Sequence, residues 1–222
     1  MTPLSFFQSF AIIALQTLFL ILIAPMVRTA IRKVKARLQN RVGPSLFQGY
    51  FDLWKLFQKE SVFSKHSSFV FRMTPFVLFG TTAVVAMLMP AIFSFSPLGF
   101  QSDLLLMVYL LALGTFFLVL AGLDSGSAFG GMGSSREVTI YSLTEPAAIL
   151  SLFALGFSAQ STNVYAIVAA TLENPQLVFA VSHVFVFLAL VIVSLAENAR
   201  IPVDNPATHL ELTMVHEAMI LE

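Results

Sequence analysis

The chain has 222 residues, of which 57% are hydrophobic and only 11% charged, with 12 Lys+Arg balancing 12 Asp+Glu. Soluble domains carry about 25% charged residues, and a mean hydropathy of +0.85 is more apolar surface than a domain of this size hides from water, so a soluble protein is excluded. The absence of cysteine excludes disulfides and thiolate ligation of an iron–sulfur cluster, a nickel ion or a structural zinc.

A bilayer-spanning helix needs about 20 apolar residues. Five stretches meet that length: Leu4 to Val27, Pro75 to Phe95, Leu104 to Leu123, Glu137 to Ala159 and Gln176 to Ala196. A sixth, amphipathic stretch begins near Pro206. The predicted fold is therefore all-α, a polytopic transmembrane helical bundle read as one membrane domain over 1–222. The first span has no cations before it and is too long for a signal-peptide core.

Ten of the twelve Lys and Arg lie between the first two predicted spans, from Arg28 to Arg72. Arg136 falls between the third and fourth, and Arg200 follows the fifth. Five crossings put all of them on one side, and the positive-inside rule makes that side cytoplasmic, with the N-terminus outside. The loops at 96–103 and 160–175 are then expected outside, and those at 28–72, 124–136 and 197–206 inside.

Within the long cytoplasmic segment 28–74, the basic run from Arg28 to Arg41 reads either as an anchor to anionic lipid or as a docking surface for a soluble partner. Gly43 and Pro44 form a turn that aims the next helix. Phe47, Tyr50, Phe51, Trp54 and Phe57 then alternate with Asp52, Lys55, Lys59 and Glu60 at helical spacing. This pattern suits an amphipathic helix in the membrane interface, after the first span; a helix packed under a partner, with the lone Trp54 as its anchor, is the alternative. Asp52 precedes Lys55 by three residues and Glu60 adjoins Lys59, so local pairs are available, as is usual on a solvated face.

The run from Gly126 to Gly133 lacks a preceding strand and is no dinucleotide fingerprint. It reads as a flexible, close-packing turn into the fourth span. There Glu137 is expected at the helix start, where the dipole favours a carboxylate. Tyr141 and Glu145 follow at i+4 and i+8, so the three form one polar stripe. An acid at mid-bilayer costs about 2.5–3.5 kcal/mol on insertion scales. Glu145, just before Pro146, is therefore read as lining a hydrated path, against the plainer reading of a neutral, hydrogen-bonded structural acid. His183, alone in the fifth span, is more simply an interhelical hydrogen bonder.

The densest polar cluster runs from Glu197 through Arg200 and Asp204, then His209, Glu211, His216, Glu217 and Glu222. Carboxylates and imidazoles together can pass protons. The alternative is an ion-pair network around Arg200, which can neutralise only some of these acids. The expected proton path comprises Glu137, Glu145, Glu197, Asp204, His209, Glu211, Glu217 and Glu222. The expected docking residues are Arg37, Arg41, Gly43, Pro44, Asp52, Lys55, Lys59, Glu60, Arg136 and Arg200.

Arg41-Val-Gly-Pro44, Asp52-Leu-Trp-Lys55 through Glu60, Arg136 to Glu145, and Glu197-Asn-Ala-Arg200-Ile-Pro202-Val-Asp204 together resemble the complex I subunit 1 family. The tail from Pro202 to Glu222 is similar to the branch found in group 4 membrane-bound [NiFe] hydrogenases, of the formate hydrogenlyase subunit 4 and hydrogenase-4 membrane-component type. The resemblance implies a non-redox membrane subunit of an oxidoreductase complex, beneath hydrogenase large and small subunits and beside antiporter-like membrane subunits. The [NiFe] centre and iron–sulfur clusters would sit on those partners, with no cofactor in this chain and no nucleic-acid partner. It implies the bacterial or archaeal cytoplasmic membrane. Quinone-reducing relatives are rich in acids after the Pro-x-Asp-x-Pro stretch, whereas Ala207, Thr208 and His209 stand here. That departure argues against the alternative, a quinone-site subunit of a complex I-like enzyme. A stand-alone ion transporter is disfavoured by the absence of internal repeats. Relatives continue past the acid matched by Glu222, so about two C-terminal helices are expected to be missing.

Overall fold

The computed structural model describes residues 6–60, 67–91 and 102–198. These form seven α-helices and one short 3-10 helix, with no strand among the described residues. The predicted all-α architecture is what is found. The chain divides into two compact units, Met1–Val62 and Phe63–Glu222.

The first unit holds α1 (Phe6–Leu38) and α2 (Gln48–Phe57). Helix α1 does not stop at Val27 as expected. It runs on through the basic segment for 33 residues, about 50 Å at 1.5 Å per residue. Ala, Arg and Lys are good helix formers, and Lys35 and Arg37 in the last turn suit the negative end of the dipole. Asn40 then adopts a left-handed φ of 56°. The Arg41 N–H donates to Ala36 O at 2.8 Å and the Asn40 N–H to Arg37 O at 3.1 Å, the paired bonds of a Schellman stop. Helix α2 is the expected amphipathic helix. Gly49 sits against Pro25 and Thr29 of α1, and the Tyr50 hydroxyl donates to Leu22 O, next to the helix turn that Pro25 weakens by lacking an N–H.

The second unit holds α3 (Phe69–Leu88), α4 (Leu104–Asp124), α5 (Ala128–Ala159), α6 (Val164–Glu173), the 3-10 helix Pro175–Phe179 and α7 (Val181–Glu197). Helix α3 starts six residues before Pro75, because Ser68 caps it by accepting from the Val70 N–H at 3.2 Å. Helix α5 starts at Ala128, not at Glu137. Ser127 accepts from the Gly130 N–H at 2.9 Å, so most of the glycine-rich run is helical and not a flexible turn. Helix α6 occupies what was expected to be an outer loop, with Asn163 accepting from the Tyr165 and Ala166 N–H groups at 3.0 and 3.2 Å.

Helices α1, α3, α4 and α5 are long and apolar enough to cross a membrane, while α6 and the 17-residue α7 are shorter apolar helices. Their packing fits a lipid solvent. Large side chains point outward: Phe76 is 73% exposed, Leu150 71% and Phe185 64%. Small and polar ones face inward, including Thr74, Thr81, Ser134 and Ser151. Lipid is as apolar as leucine, so membrane helices associate through small residues and interhelical hydrogen bonds. Thr74 Oγ1 donates to Phe117 O at 3.2 Å and Ser134 Oγ to Val119 O at 3.1 Å. These join α3 to α4 and α5 to α4.

Both ends of this unit are tied. At one end, the Asp124 carboxylate accepts from the Ser68 N–H at 2.7 Å and the Phe71 N–H at 3.3 Å. At the other, Asp103 and Asn163 form an antiparallel bridge. There Thr162 Oγ1 donates to Asp103 Oδ2 at 2.7 Å and Ser102 Oγ to Leu88 O at 2.8 Å. Residues 102–103 and 161–163 thus share one end, and 67–68 and 124–127 share the other.

Candidate functional site

The stripe expected on the fourth span is present. Glu137, Tyr141 and Glu145 follow one face of α5, toward α4 and α7. Two cavities adjoin along it. One, of about 230 Å³, is lined by Thr81 and Thr82 of α3, Gly114 and Thr115 of α4, Glu137 and Tyr141 of α5, and Glu197 and Asn198 of α7. The other, of about 210 Å³, is lined by Leu111 of α4, Tyr141 and Glu145 of α5, and Leu190, Ser194 and Glu197 of α7. Tyr141 and Glu197 belong to both walls. Each cavity has room for several waters and polar partners to hold them.

Three carboxylates on two helices therefore line the two adjoining cavities. Tyr141 interacts with Thr115 and lies within electrostatic reach of Glu145, Glu197 and Glu137. Glu197 in turn senses Glu137 and Glu145. Glu137 is only 8% exposed. It lies in the third turn of α5, beyond the first turn over which the helix dipole acts, so the expected dipole rationale does not account for it. Packing brings it to the cavity. Glu145 is half-buried.

Of the remaining predicted proton-path residues, Asp204, His209, Glu211, Glu217 and Glu222 lie outside the described residues, as does Arg200 of the docking set. His183 is not part of the row. Its Nε2 is 3.3 Å from Ser158 Oγ, fourteen residues from Glu197, about 21 Å along the helix. The interhelical hydrogen bond is its role.

The docking residues fall in both units. In the first, Arg37 and Arg41 are exposed at the end of α1. A Cβ at Gly43 would fall 2.9 Å from Lys33 Cα, so only glycine lets the segment leading to Pro44 turn back so tightly. Asp52 does not form the local pair available with Lys55. It meets Arg32 of α1 at 4.0 Å and accepts from Gln48 Nε2 at 2.9 Å. Arg32 pairs because α2 lies on α1, a contact that no local spacing encodes. Lys55, Lys59 and Glu60 are exposed, and no ion pair joins Lys59 to Glu60 among the described residues. In the second unit, Arg136 sits within α5 and not in a loop, half-buried.

Sequence reading missed Thr81, Thr82, Gly114 and Thr115 as site residues. The available signal was small or polar residues at two places in otherwise apolar spans. Among the described residues, no three of His, Asp and Glu lie close enough to hold a metal ion.

The family profile described as NADH dehydrogenase matches residues 10–217. The chain belongs to that family. It is 36% identical over 200 residues to Hydrogenase-4 component C of Escherichia coli, a match covering 89% of this chain and 62% of that protein. Formate hydrogenlyase subunit 4 of the same bacterium is 35% identical over 198 residues, covering 89% and 64%. The H subunit of the NADH-quinone oxidoreductase of Rubrobacter xylanophilus is 33% identical over 222 residues, covering 91% and 64%. The chain thus spans slightly less than two thirds of these relatives. The resemblance read from the motifs, both to the complex I subunit 1 family and to its hydrogenase branch, is shown by these matches. A chain from the structure of the membrane-bound sulfane sulfur reductase, an archaeal respiratory membrane complex, superposes with a TM-score of 0.74 at 23% identity. That match covers 93% of this chain and 72% of the other, and it supports the fold. This is a multi-pass membrane protein with relatives in multisubunit respiratory complexes.

Proposed function

We propose that the chain is the membrane-anchoring, proton-conducting subunit of a formate hydrogenlyase-like membrane-bound [NiFe] hydrogenase complex. The observation that carries this reading is the row of Glu137, Glu145 and Glu197 around Tyr141, on the walls of two adjoining cavities. Acids at such depth persist where water or protonation relieves their cost, and an acid beside water can both release and accept a proton. Glu145 and Glu197 exchange protons through water in the second cavity, and Glu197 and Glu137 through water in the first. Tyr141 orients the hydrogen bonds between the two. Asp204, His209, Glu211, Glu217 and Glu222 extend the path toward the cytoplasmic surface.

Electron transfer stays on the partner hydrogenase large and small subunits, which hold the [NiFe] centre and the iron–sulfur clusters. Arg37, Arg41, Gly43, Pro44, Asp52, Lys55, Lys59, Glu60, Arg136 and Arg200 dock that arm, with antiporter-like subunits alongside in the cytoplasmic membrane. The N-terminus lies outside. The stronger identity to the two hydrogenase-complex components than to the NADH-quinone oxidoreductase protein favours this over a quinone-site subunit.

The test is Glu145→Gln, which keeps shape and hydrogen bonding but removes the titrating proton. In inverted membrane vesicles the assembled complex should retain its subunits and lose proton movement coupled to hydrogen evolution. Normal assembly with full coupling would make Glu145 a structural residue.

A further inference from the structure

The first unit contains a second chemically distinct place. A groove of about 550 Å³ lies between α1 and α2. Its walls carry Arg28, Arg32, Lys55 and Lys59, and a single carboxylate, Asp52. That carboxylate is already engaged by Arg32 and Gln48. Arg28, Lys55 and Lys59 have no ion pair among the described residues. Four cations against one carboxylate leave an excess of positive charge that a further anion would relieve. The floor is apolar, formed by Ala24, Pro25, Leu53 and Leu56.

The groove also sits where α1 changes character. Back along α1 from Arg28, the same helical face presents Ile21 and Leu18, 40% and 54% exposed. A molecule filling this place needs a phosphate for the cations and hydrocarbon for the face beside them. Arginine forks match phosphate oxygens in pairs, and basic clefts beside membrane helices hold anionic headgroups.

We infer that the groove between α1 and α2 binds the phosphate headgroup of an anionic phospholipid, with its acyl chains along the Leu18–Ile21 face of α1. The site shares no residue with the carboxylate row; it shares Asp52, Lys55 and Lys59 with the docking residues proposed above, whereas Arg28 and Arg32 are not among them.

The test measures binding of a fluorescent phosphatidylglycerol to the intact chain in detergent, with phosphatidylcholine and inorganic phosphate as the other probes. Arg28→Gln with Arg32→Gln should weaken phosphatidylglycerol about 30-fold, the factor for two cations at about 1 kcal/mol each. Phosphatidylcholine should be unaffected by the change. Arg28→Lys with Arg32→Lys keeps both charges and loses only the paired fork geometry, so it should weaken binding less than the glutamine pair, which guards against a misfolded double variant. Lys33→Gln with Lys35→Gln removes the same charge from outside the groove and should leave binding near the parent value. Equal weakening by that pair would reduce the effect to general attraction and overturn the site. Competition by inorganic phosphate as effective as that by the lipid would overturn the lipid assignment, and so would unchanged affinity after loss of Arg28 and Arg32.

Discussion

Neighbouring glycines of α5 give a paired experiment on what positions the carboxylate row. A Cβ built on Gly130 would lie 2.6 Å from Ser125 Oγ and 2.8 Å from Ser127 Oγ, and would collide with the Gly122 carbonyl oxygen. The same Cβ on Gly131 meets nothing within 4 Å. Both residues are helical, so alanine gains about 1 kcal/mol of helix propensity at either position. At Gly131 that gain stands alone. At Gly130 it opposes an overpacking cost of about 1–3 kcal/mol, because backbone and two bonded hydroxyls cannot simply rotate away. Gly130→Ala should therefore be less stable than Gly131→Ala by about 1–3 kcal/mol, the propensity gain cancelling between them. Glu137 lies seven residues along α5 from Gly130, two turns on the same face. The push on α5 should also lower proton coupling in Gly130→Ala without changing any titrating group. Thermal unfolding of the two variants in the same detergent, with vesicle proton uptake, measures both effects. Equal stabilisation of the two would refute close contact of α5 with the α4 terminus.

The other expectations concern docking, topology and the tied end of the bundle. Reversing Arg37 and Arg41 to Glu should release the soluble arm while leaving the chain in the membrane, and an intact complex in detergent would count against it. Reporters inserted at 125–127 should read cytoplasmic and those at 161–163 external; a shared side would overturn the span assignment. Asp103→Ala should lose an N-cap worth about 1 kcal/mol and a charge-assisted bond from Thr162 worth about 1.5–3 kcal/mol. Unchanged thermal stability would show that the Asp103 cap and its bond from Thr162 contribute nothing.

Four of the five predicted spans were legible because each is a long apolar run, and lipid requires such runs to be helical; the fifth, expected over Gln176 to Ala196, is a 3-10 helix followed by the shorter α7. The row of Glu137, Tyr141 and Glu145 was legible because i, i+4 and i+8 share a face wherever a helix starts. The start itself was not. Gly126 to Gly133 reads as a turn by propensity, yet Gly130 and Gly133 are buried in α5, because close helix approach outweighs about 1 kcal/mol per glycine. Helix α6 lies in the stretch read as a loop between two spans, and its ten residues are too few to span a bilayer. Its cap, Asn163, was nonetheless visible. The partner of Asp52 was hidden for another reason: Arg32 lies twenty residues away in sequence, and only the packing of α2 on α1 brings it near.

Membrane packing and the candidate site follow from one feature of this bundle. With large side chains turned outward, helix contacts rest on residues such as Thr81 and Gly114, and a Cβ at Gly114 would lie 3.2 Å from Thr81 Oγ1. Those same two residues line the cavity that holds Glu137, Tyr141 and Glu197. A leucine at either place would fill space that water can occupy and bring hydrocarbon against three acids, raising the cost of any charge there. The small residues thus bring α3 and α4 together and keep the wall beside α5 and α7 hollow and polar. A hydrated acid row is stable in this setting because the contacts that bind the helices leave it room.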